Sequence, residues 1–122
     1  MIFVTADNCR PQLERLTQIL VSAFPGSTIY QHTDPLRVPH DVLSHKVDAV
    51  VLEADTETMH SLNLVQNLRR QKPDLPVFII SKTADFREKA EAAGANGCFV
   101  FPDGEQQLLD AIRLAKSKEN IS

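Results

Sequence analysis

Glycine occurs only four times in 122 residues, cysteine twice, and no run of basic residues is longer than a pair. Each shortage closes a class of function. No Gly-rich loop follows the first apolar segment, so a dinucleotide- or flavin-type phosphate cradle is unsupported. Cys9 and Cys98 stand alone in apolar or turn contexts without metal-like spacing, and read as reduced thiols filling small spaces rather than as a redox pair. A net charge of −3 and the lack of a basic patch make this segment a poor nucleic-acid ligand. The longest apolar runs are strand-sized, too short to span a membrane, and no signal peptide precedes the first of them. A cytoplasmic, membrane-free protein is expected.

What the chain does have is an ordinary globular composition, 43% hydrophobic and 24% charged. That length suits one domain with a real core. We read residues 1–118 as the domain and 119–122, the end of SKENIS, as a polar tail that could lead into an output domain. Five short apolar runs alternate with helical patterns: 2–4, 27–30, 49–52, 77–80 and 98–101. Each is rich in β-branched or aromatic residues and nearly continuous in apolarity, as a parallel strand covered on both faces should be.

Between them lie amphipathic segments. Leu13, Leu16, Leu20 and Ala23 line a first helix, with Asn8 as the expected cap and Pro11 in its first turn. Pro39 opens a short second helix through Val42 and Leu43. Leu64, Val65 and Leu68 mark a third, ending before Pro73, and Phe86, Ala90 and Ala93 a fourth, closed by Gly94. Leu108, Ala111, Ile112 and Ala115 mark the fifth, with Asp103 and Gln106 as its expected capping box. Five successive β-then-α units with right-handed crossovers predict an α/β fold, a doubly wound five-stranded parallel sheet. Its ligand site is expected at the carboxyl ends of the strands. Those ends carry Asp7 and Asn8, then Glu53 and Asp55, then Ser81 and Lys82, then Phe101 and Pro102.

The stretch DAVVLEADTETMHSLNLVQNLRRQKPDLPVFIIS, and more weakly GANGCFVFPDG, resembles the receiver domain of two-component response regulators. The resemblance extends from Met1 to about Lys116 and implies the CheY-like, (βα)5 flavodoxin-like three-layer sandwich. That family moves a phosphoryl group from a histidine kinase to an aspartate after the third strand. Two acids after the first strand help hold magnesium, while a hydroxyl residue after the fourth and a lysine after the fifth bind the phosphoryl oxygens. Metal and cation neutralise the charge of the group in transfer.

Carried over position by position, the resemblance puts Asp7 on the second acid of the first pair and Ala6 on the first. Glu53 falls on the phospho-acceptor, Ser81 on the switch hydroxyl, Phe101 on the lysine and Cys98 on the aromatic switch. A glutamate carries its carboxyl about 1.5 Å further out than an aspartate, which spoils in-line geometry. One missing acid weakens a hard-cation site, leaving at most a weak magnesium site at Asp7 and Glu53. Phenylalanine cannot pair with a phosphoryl oxygen. The acids Glu53, Asp55 and Glu57 therefore read as the remnant of a phosphorylation site, not as a new metal site.

His32, His40, His45 and His60 lack ligand spacing and are expected on the surface, and no histidine is placed to make Ser81 a nucleophile. The resemblance implies a non-enzymatic pseudo-receiver, a docking or dimerisation module without a cofactor, within a transcriptional regulator. Its alternative is a working receiver whose acceptor is Glu53 or Asp55. Two further expectations follow. Lys82 is to replace the lost lysine by pairing with Glu53 or Asp7, while Phe101 desolvates the pocket and favours a protonated Glu53. The partner face, for a second copy or a histidine kinase, is to be the fourth helix, fifth strand and fifth helix, presenting Arg87, Glu88 and Glu91 beside Asp110, Arg113 and Lys116.

Overall fold

The computed structural model describes residues 1–54 and 60–121, with side chains as far as Lys118. Every expected apolar run forms a strand: β1 Ile2–Ala6, β2 Thr28–His32, β3 Ala49–Glu53, β4 Val77–Ser81 and β5 Gly97–Val100. They alternate with α1 Arg10–Ala23, α2 Val38–Ser44, α3 His60–Gln71, α4 Arg87–Ala93 and α5 Glu105–Ile121. The strands pair in parallel in the order β2-β1-β3-β4-β5. After β1 the chain steps outward to β2, then crosses back to β3, so the winding reverses between β1 and β3. A doubly wound sheet opens a crevice above such a switch point.

Side-chain alternation along the strands builds two cores. Val4, Ala6, Val50, Leu52, Val77, Ile79 and Cys98 face one side, packed under α2, α3 and α4 through Val42, Leu68 and Ala90. Phe3, Ala49, Val51, Phe78 and Ile80 face the other, under α1 and α5 through Leu16, Leu20, Leu108 and Ile112. Complete burial of each large side chain contributes about 1.5–3 kcal/mol.

Several boundaries differ from expectation for local reasons. Helix α1 is capped at Cys9, not Asn8, because the Asp7 carboxylate takes the Cys9 N–H at 2.8 Å and holds the chain in a turn for one residue longer. Two 3-10 turns, Pro35–Arg37 and Ala84–Phe86, lead into α2 and α4, and Asp34 caps the first by accepting from the Leu36 N–H at 3.0 Å. The Asp103–Gln106 capping box does not form in that register. α5 starts at Glu105, and Gln106 donates instead to Asp110 at 2.9 Å. The expected tail is helical to Ile121, since Lys118, Glu119 and Asn120 follow one another without a proline or glycine to stop the helix. Gly94 closes α4 at φ 109°, a left-handed value that a side chain resists. Among the described residues no helix is long and apolar enough to cross a membrane.

Candidate functional site

The register sets Ala6 opposite Leu52 and Glu53 opposite Ile80, so Asp7 and Glu53 leave adjacent strands beside each other at the switch point. Ser81 and Lys82 follow β4 on the far side of Glu53. Together with Asn8, Gln12, Ser61 and Thr83 they line a cleft of about 520 Å³. The sequence brings Asp7, Glu53, Ser81 and Lys82 to one place as expected. Gln12, Ser61 and Thr83 are additions that no motif marked. Asp55 and Glu57 lie outside the described residues.

Asp7 is 2% exposed; its Oδ1 is taken by the Cys9 N–H, and its Oδ2 is buried with no donor from a neighbouring group in the ionised state. Glu53 stands within hydrogen-bonding reach. Two carboxylates cannot bond to one another, but a protonated Glu53 can donate to Asp7. Burial, then the hydrogen bond to Asp7 and that residue's negative charge, push the Glu53 carboxyl up to about 7. The charge of Lys82 and the Asn8 N–H oppose the rise.

The expected ion pair from Lys82 is not formed. Its side chain is exposed and acts on Glu53 through its field, without an ion pair to a described residue. Phe101 does not line the cleft either. It lies on the same pleat face as Phe99 and packs with it against the α1/α5 core, whereas Cys98 faces the opposite core. The desolvation of Glu53 therefore comes from its own place between β1 and β4. The prediction of a protonated glutamate holds in direction, but not through Phe101.

Ser81 is buried, and its hydroxyl donates to the Thr83 carbonyl at 2.5 Å while accepting the Cys98 thiol at 3.8 Å. Burial pushes the Cys98 thiol up, so it remains protonated and available as that donor. The two positions expected to form the hydroxyl and aromatic switch are thus in contact.

A magnesium ion asks for near-octahedral oxygen coordination. Ala6 supplies a methyl where a second acid would stand, and Asp7 and Glu53 are the two described acids that line the cleft. Among the described residues no three of His, Cys, Asp and Glu gather into a metal cluster.

The expected partner face is only partly assembled. Arg87, Glu88 and Glu91 are exposed on α4, with Arg87 reaching the Cys98 carbonyl at 3.4 Å. Arg113, however, pairs with Asp110 at 3.3 Å and lies over the Phe24 ring at 5.4 Å, and Lys116 bonds Asp48 at 3.0 Å. These contacts turn Arg113 and Lys116 toward the end of α1 and the amino edge of β3, away from α4. Two of the four histidines also depart from a plain surface role. His32 pairs with the buried Asp41, tying β2 to α2, and His45 stacks on Tyr30 with centroids 4.4 Å apart.

The family model of the response regulator receiver domain matches residues 3–113. The chain belongs to that family. A glycerol metabolism activator of Pseudomonas putida is 30% identical over 106 residues, covering 81% of this chain and 46% of the relative. The receiver thus spans about half the length of that relative. The signal receiver domain of a DNA-binding response regulator (merR) from Colwellia psychrerythraea superposes with a TM-score of 0.83 at 20% identity, covering 96% of this chain and 98% of the other. The chemotaxis response regulator CheY4 of Vibrio cholerae gives 0.78 at 16% identity, covering 93% and 97%. At these identities the structural likeness concerns the fold.

Proposed function

We propose that this receiver domain signals by docking to protein, without accepting a phosphoryl group and without catalysis or a resident metal. The observation that carries the reading is the pairing of Glu53 with Asp7. At the acceptor place stands a longer acid beside the buried Asp7, its carboxyl raised to about 7 by burial and by that neighbour, and the extra bond of a glutamate spoils in-line attack on a phosphorus atom. The loss of cationic help from β5 supports it, because Phe101 is committed to the α1/α5 core. An activator among the relatives, and a DNA-binding regulator among similar structures, favour a place in a transcriptional regulator.

The docking face is α4, β5 and α5, offered to a second copy, an output segment or a kinase. Arg87, Glu88 and Glu91 present the charges on α4, and Leu114 on α5 is 58% exposed. The test is incubation with magnesium and acetyl phosphate or beryllofluoride, followed by intact mass and amide NMR. Unchanged mass and unmoved pocket amides are expected. Incorporated phosphate would restore the working-receiver reading. Its loss in Asp55→Asn but not in Glu53→Gln would then place the acceptor at Asp55.

A further inference from the structure

A second cavity, of about 730 Å³, opens at the amino edge of the sheet, the edge opposite Asp7 and Glu53. Residues 45–48 before β3, 72–76 before β4 and Asn96 before β5 line it, joined by Ala115 and Lys118 of α5. Val42, Val47, Leu75 and Pro76 give it an apolar lining, and the His45 ring, stacked on Tyr30, adds a flat surface. The wall is braced from behind. The Arg69 guanidinium donates to the Pro73 and Leu75 carbonyls and to Asn96 Oδ1, which also takes the Val77 N–H. With its oxygen so engaged, Asn96 has its amide N–H groups left as donors, without an acceptor among the described residues.

The charges around this cavity are mostly of one sign. Lys46, Lys72 and Lys118 are exposed and form no ion pair with a described residue. Asp48 is already committed, giving Oδ2 to the Ile2 N–H at 2.7 Å and Oδ1 to Lys116 at 3.0 Å. Among the described lining, Asp74 is the acid left to oppose three ammonium groups, in a chain whose net charge is −3. Like charges gathered over an apolar wall focus a positive potential there. We propose that this cavity binds a small organic anion, a phosphate or carboxylate group carried on an apolar body. The lysine ammonium groups, on long stems, and the Asn96 amide meet the anionic oxygens. Val42, Val47 and Leu75 take the body out of water. The site stands apart from whatever chemistry occurs at the carboxyl ends of the strands.

The experiment is an amide NMR titration of the isotopically labelled chain with phenyl phosphate, phenol and inorganic phosphate at matched ionic strength. Phenyl phosphate should give saturable shifts at Val47, Asp48, Leu75 and Asn96. Phenol has the body without the charge and inorganic phosphate the charge without the body, so neither should saturate over the same concentration range. Lys46→Met combined with Lys72→Met should weaken binding by roughly fivefold to tenfold, the loss expected for two exposed ion pairs. Asp74→Asn removes the opposing charge and should tighten binding by about twofold. All three altered side chains are exposed, so these variants keep the fold. Shifts that centre instead on Asp7 and Ser81, that phenol or inorganic phosphate alone reproduces, or that the double lysine variant leaves unaltered would overturn the proposal, and the docking reading would stand.

Discussion

Glu53 at the end of β3 stands beside the buried Asp7 that follows β1, and as the neutral acid it can donate to that carboxylate. The relationship makes stability depend on pH. Glu53 is raised from 4.5 to about 7, so the folded state binds its proton more tightly than the unfolded chain does. The contribution is complete below about pH 4.5 and disappears as pH rises through 7. Solvent screening of a half-buried carboxyl leaves about 1 kcal/mol of the effect. Denaturant unfolding of wild type and Glu53→Gln should show the variant gaining on wild type as pH rises from about 4.5 to about 7, the span between the unfolded and folded values. A constant difference over that range would contradict the shared hydrogen.

Lys82 lowers the Glu53 pKa through its field without an ion pair. Lys82→Met should therefore move the Glu53 midpoint further up, as followed by carbon-detected NMR of its carboxyl group. An unmoved midpoint would mean that the lysine is too well solvated to act.

If three substitutions disabled the phosphorylation chemistry, restoring three residues should revive it. Ala6→Asp, Glu53→Asp and Phe101→Lys together should yield a chain that gains the mass of one phosphoryl group from acetyl phosphate with magnesium. Glu53→Asp alone should not. Removing Phe101 from the α1/α5 core should lower stability by about 1–3 kcal/mol, which thermal unfolding would register.

Arg69 is the main clamp at the opposite end of the sheet. Its guanidinium donates to the Gly94 carbonyl at 3.0 and 2.9 Å, to the Pro73 and Leu75 carbonyls at 2.6 and 2.8 Å, and to Asn96 Oδ1 at 2.6 Å. Asn96 in turn accepts the Val77 N–H at 2.9 Å, at the start of β4. Arg69→Ala should destabilise by about 2–3 kcal/mol, since several carbonyls lose a charged donor together. Arg69→Lys should recover less than half, because an ammonium lacks the planar fork. Equal stability of the lysine variant and wild type would refute the clamp.

Local periodicity made the fold legible. The β-branched runs at 49–52 and 77–80, the leucines of α1 and the glycine closing α4 each report a conformation that neighbouring residues impose. The family pattern then indicated which strand ends meet, and Asp7, Glu53, Ser81 and Lys82 do meet. The capping details failed because they rest on one hydrogen bond among several available, as the Asp7 turn displacing Asn8 shows.

What sequence by itself determined is therefore the alternation of strands and helices, the parallel sheet and the acids at its carboxyl edge. Tertiary structure alone decided how deeply those acids are buried against each other, which core receives Phe101, and where Arg113 and Lys116 point. The reason is physical. A repeat of two or of 3.6 residues is written locally, whereas the Lys116–Asp48 bond joins positions 68 residues apart and depends on α5 packing over the sheet. The protonation of Glu53 likewise depends on burial and on a carboxylate from another strand, neither of which a linear spacing contains.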